Sequence, residues 1–110
     1  MPIIQSPVKE FPGSIVLPDF LTLAQVFAFE VAADEVAALK GGVIRRSQID
    51  KIYLPMLFEV VLEWHIDGQP DEPTIETWQA TPRRASADLT AWAIGEVTRM
   101  YLGEIEIPNA

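Results

Sequence analysis

The single histidine of the chain, His65, stands between two carboxylates in Glu63-Trp64-His65-Ile66-Asp67. On an extended strand alternate residues share a face, and these three would form an O, N, O set for a divalent cation. On a helix, residues two apart point away from each other and the set falls apart. The helical reading is favoured below, which makes His65 a helix-end residue near the negative pole of the macrodipole. There is no second imidazole and no cysteine, so a zinc centre, a thiol nucleophile, a disulfide and a Ser-His-Asp triad all lack their parts.

Two other groupings have the spacing for chemistry. Glu59 and Glu63, four apart, share a helix face and form a candidate carboxylate pair, although such pairs are usually solvated. Arg83-Arg84-Ala85-Ser86 has the form of a basic-directed kinase site, but the Ser86 hydroxyl can instead cap the helix that follows. In so acidic a chain the two arginines, like Arg45 and Arg46, are expected to pair with carboxylates such as Asp71, Glu72 or Glu76. There is no phosphate-binding glycine loop, nucleophile elbow or metal-ligand signature. The expectation is a protein with no catalytic residues, no metal and no cofactor.

The elements that would position these residues are mainly helical. Four prolines in the first 18 residues exclude a helix there. Phe11-Pro12-Gly13-Ser14 fits a type II turn, which would pair residues 8–11 with residues 14–17 as a short hairpin. Thr22 and Gln25 have capping-box spacing, with Leu21 and Val26 as a hydrophobic staple. The first helix is therefore expected over residues 23–40, ended by Gly41-Gly42.

A second helix, residues 48–65, starts at Ser47, has Asp50 in its first turn and contains Pro55. Its face of Ile49, Ile52, Tyr53, Met56, Leu57, Val60, Val61 and Trp64 keeps one phase across the proline, which predicts a kink, with two abutting helices as the alternative. After the loop "HIDGQPDEPTIE" a third helix, residues 86–102, buries Leu89, Trp92, Ala93, Val97 and Met100 and stops at Gly103. Its start is Ser86, or Thr81-Pro82. In the tail "EIEIPNA", Ile105 and Ile107 alternate as a short strand would. The fold class read from this pattern is mainly α: one domain over residues 1–110, extended or hairpin over 1–21, helical over 22–103, with a tail at 104–110.

The composition is that of a folded domain, 49% apolar and 22% charged. The formal charge is −8, and residues 56–110 hold ten acidic against three basic side chains. Such a field repels a phosphate backbone, so nucleic acid is not an expected partner and a basic protein segment is. There is no membrane span and no leader pattern, which makes the cytoplasm the expected location.

The first helix is over-supplied with apolar residues, thirteen of seventeen between residues 23 and 39. One small core cannot take Phe27, Phe29 and Val31 in three directions, so these three are expected to bind a partner or a second copy. Trp78, between Thr77 and Gln79, is expected either to plug the gap between helices or to join them as a contact.

The succession "FPGSIVLPDFLT", an alanine-rich helix, "EW" and "TWQATPRRASADLTAWAIGEVTRMYLGE" resembles small phage and prophage tail-assembly chaperones over residues 11–108. That resemblance implies a helical, often oligomeric protein of the host cytoplasm that is absent from the finished virion and keeps a helical tape-measure protein soluble. A structural virion component, such as a head-tail connector or tail-terminator subunit, is the alternative. A third reading, an acidic mimic of nucleic acid, would need clustered surface carboxylates.

Overall fold

The fold, a computed structural model, is described over residues 2–39, 41–81 and 85–105, with the side chains of Glu104 and Ile105 excepted. About half of the chain is helical, and the remainder includes a three-stranded antiparallel sheet, so mainly α describes only part of it. The strands are β1 (Ile3–Gln5), β2 (Gly13–Val16) and β3 (Glu63–Ile66), and β2 lies in the middle. The helices are α1 (Leu23–Ala37), α2 (Arg46–Val60), α3 (Ile75–Gln79) and α4 (Ser86–Ile105).

The N-terminal hairpin differs from the expected one. β1 pairs with β2 in the register Ile3 to Val16 and Gln5 to Ser14, so the partner of β2 is residues 3–5 and not residues 8–11. The chain reverses earlier than Pro12-Gly13, where the Phe11 amide donates to the Val8 carbonyl. Gly13 opens β2 with φ +133°, outside the type II value of about +80°. Its role is close approach, because a Cβ there would overlap the His65 carbonyl oxygen on β3.

The third strand comes from the stretch read as the end of the second helix. α2 stops at Val60, Val61 turns extended, and β3 pairs with β2 in the register Ile15 to Trp64 and Gly13 to Ile66. β-Branched Val60 and Val61 weaken the helix, and Trp64, His65 and Ile66 then alternate buried, exposed, buried. Ile105 belongs to α4, which runs past Gly103, while Ile107 lies outside the described residues.

α1 begins as its sequence dictates. The Gln25 amide donates to the Thr22 hydroxyl and the Thr22 amide to the Gln25 side-chain oxygen. It ends at Ala37, short of the glycine pair, and Gly41 takes φ +108° in the turn beyond. α2 starts two residues earlier than Ser47 would have it, because the Gln48 side chain reaches back to the Arg45 amide. It continues through Pro55 as one helix, which removes the alternative of two abutting ones. α3 occupies part of the expected loop, opened by Thr74 and Thr77 in reciprocal bonds.

α2 is the central helix, packed against α1, α3 and α4. The core joins Phe11 and Ile15 of the N-terminal segment, Leu57 and Val60 of α2, Trp64 of β3, and Leu89, Ala93 and Val97 of α4. Phe58, Trp64 and Trp78 form an aromatic cluster with ring centres 4.9–5.6 Å apart, which ties α2, β3 and α3 together.

Candidate interaction surface

Two of the four residues expected to meet a partner lie inside. Phe29 is 5% exposed and stacks on Tyr101 of α4 with ring centres 4.2 Å apart. Trp78 is 4% exposed, so it is the plug. Its indole N–H donates to the Thr90 hydroxyl at 2.8 Å, and that hydroxyl donates to the Ser86 carbonyl at 2.8 Å. The other two, Phe27 at 56% and Val31 at 57% exposed, lie on the outer side of α1.

Phe27 and Val31 have neighbours that the sequence reading did not single out. Leu23 is 67% and Phe20 78% exposed. Leu23, Phe27 and Val31, each four residues from the next, form one strip along α1, and Phe20 lies in the non-helical segment just before its cap. The available signal was the same periodicity followed backwards from Phe27.

The strip is open because α1 is fastened along its other side. α1 packs on α2, where the Gln25 amide group donates to the Glu59 carbonyl at 3.2 Å. Toward α4 the Tyr101 hydroxyl donates to the Glu30 carboxylate at 3.0 Å. That bond raises the Tyr101 pKa above its usual value, helped by desolvation and by the negative charges of Glu30 and Asp34. Burial raises Tyr53, whose ring lies 5.5 Å from that of Phe29. Only Phe29 and Ala32 of α1 are fully in the core.

Between α1 and α2, next to the strip, runs a groove of about 500 Å³ with Ala28, Ala32, Pro55 and Met56 among its lining and Glu35, Lys51 and Glu59 also on it. A second depression, about 370 Å³, lies where α2 and α4 begin and is lined by Ser47, Asp50, Lys51 and Ser86 among others. Its buried carboxylate, Asp50, is already bonded to Arg46 at 2.9 Å.

The titratable groups weighed for chemistry are arranged differently from the helical expectation. Because β3 is a strand, Glu63 and His65 do share a face, 3.3 Å apart and both exposed. Asp67 follows beyond the strand end, and among the described residues no group of three His, Cys, Asp or Glu side chains is placed to hold a metal ion. Glu59 and Glu63 are divided between α2 and β3 and are no longer a helical pair. Ser86 is the first residue of α4, and the Leu89 amide bonds to Ala85, so the capping position is Ala85. Arg83, Arg84 and their expected carboxylate pairing lie outside the described residues. No described helix is long and apolar enough to cross a membrane.

The chain matches no family model, no curated protein and no solved structure.

Proposed function

We propose that this is a non-enzymatic binding protein that covers an apolar helical client with the outer strip of α1, in the manner of a phage tail-assembly chaperone holding a tape-measure protein. The observation that carries the reading is the strip itself, Leu23, Phe27 and Val31 more than half exposed in a row along α1, with exposed Phe20 just before it. Contiguous apolar surface of this kind is a partner surface or an aggregation hazard. The net charge of −8 keeps the loaded complex dispersed. The resemblance over residues 11–108 supplies the class of client.

The test is co-expression with a tape-measure protein encoded beside this one. The client is expected to move from pellet to supernatant, and Leu23→Ser with Phe27→Ser is expected to return it to the pellet while the fold stays intact. Phe29→Ser and Trp78→Ser serve as contrasts, since they disrupt the interior and lose the client through unfolding. A client that stays insoluble beside the folded protein ends this reading. Stoichiometric copies in mature particles would replace it with that of a structural virion component.

A further inference from the structure

The surroundings of the α1 strip define the charge of what covers it. Successive helical residues turn by about 100°, so Glu30 borders the strip on one side and Glu35 on the other, while Asp34, three residues beyond Val31, closes its C-terminal end. α1 contains no lysine or arginine. Beyond Glu35 lies the groove between α1 and α2, with Ala28, Ala32, Pro55 and Met56 as its apolar lining and Glu59 on the far helix. Apolar lining beside carboxylates suits a side chain with an aliphatic stem and a cationic head.

We propose that this face takes an amphipathic helix whose apolar stripe is bordered by lysine or arginine, with one of those cations lying over the groove between Glu35 and Glu59. The proposal rests on α1 being the partner surface and adds the chemistry of the partner. A second copy of this chain is a poorer occupant, since it would lay a helix without cations against Glu30, Asp34 and Glu35 and bring two chains of charge −8 together. Lys51, which also lines the groove, is the resident cation and competes with the incoming one. Its removal therefore has the opposite effect to removal of the carboxylates.

The probe is a fluorescent synthetic helix of about 18 residues, long enough to span α1, with a leucine stripe bordered by lysine; its control carries glutamate in place of lysine. Anisotropy at low salt is expected to show the basic helix binding about tenfold more tightly than the acidic one. Glu35→Gln with Glu59→Gln is expected to weaken the basic helix about fivefold without moving the melting temperature, and Lys51→Met to tighten it about twofold. Phe27→Ser is expected to weaken both helices.

If both helices bind equally and the carboxylate pair has no effect, recognition by charge is wrong and the strip remains a partner surface. If neither binds, and the chain is a dimer that Phe27→Ser dissociates, the occupant is a second copy and the proposal is overturned. If neither binds and the chain is monomeric, the proposal is equally overturned, while co-expression decides separately whether α1 holds a client.

Discussion

α1 and α4 are both long helices rich in apolar residues, yet they use them in opposite ways. α4 sends Leu89, Ala93, Ile94 and Val97 into the core and leaves Leu102, near its end, 46% exposed. α1 has apolar side chains around most of its circumference, yet only Phe29 and Ala32 are fully buried. A stripe matched to the available core is consumed by it, whereas a surplus remains outside. Apolar content beyond what a helix's neighbours can cover therefore marks surface, not core.

The sharpest contrast comes from truncating the buried stripe. Leu89→Ala is expected to cost about 2–5 kcal/mol, because the side chain is fully enclosed and leaves a cavity. Urea unfolding measures it. A loss below about 1 kcal/mol would mean that α4 is no better anchored than α1. Next comes Thr90→Val, which leaves the Trp78 indole N–H in the interior without its acceptor and is expected to cost about 1–3 kcal/mol. The same variant should change the near-ultraviolet dichroism of the aromatic cluster.

A smaller effect tests the attachment between the two helices. The raised Tyr101 pKa means that the folded chain holds the phenolic proton more tightly than the unfolded chain does. Its contribution is whole below the ordinary value of 10.0 and is lost as pH rises through the higher folded value. Tyr101→Phe keeps the ring and should flatten part of the fall in denaturation midpoint that sets in as pH rises past about 10, leaving the part due to Tyr53. An unchanged slope would mean that the Glu30 bond contributes nothing to holding α1. The smallest expected change in stability is that of Phe27→Ser, within about 0.5 kcal/mol, since an exposed ring leaves no cavity. A large loss there would abolish the distinction between the two helices.

The parts of this fold legible in sequence were those specified by neighbouring residues. Thr22 and Gln25 act within one turn, and so they define the start of α1 unaided. The inward stripe of α4 follows from its own periodicity, whereas its end does not, since the helix passes Gly103. β3 was not legible, because Val60 and Trp64, four apart, lie on one face of a helix and also on one face of a strand; only pairing with β2 decides between them. α3 had its signal in Thr74 and Thr77, masked by the prolines on either side.

The candidate surface was legible as a quantity and not as a direction. Too many apolar residues in α1 could be counted, but which of Phe27 and Phe29 faces outward depends on where Tyr53 and Tyr101 lie. Trp78 is inside for the same kind of reason, since the partner of its indole N–H comes from a helix twelve residues further on.

The sheet also determines the order in which the chain can assemble. β1 and β2 are near in sequence, but β3 returns to β2 only after α1 and α2 have been laid down between them. Pairing β2 with β3 in an unfolded chain would close a long loop at considerable entropic cost, whereas docking α1 on α2 first brings Val16 and Glu63 together with most of that entropy already lost. On that entropic argument the strand pair is a clasp on the α1–α2 hairpin and not its nucleus. Gly13 is the tooth of the clasp: a methyl group at that position would obstruct the last step and leave the earlier ones intact, so the chain would assemble its helices and fail to fasten.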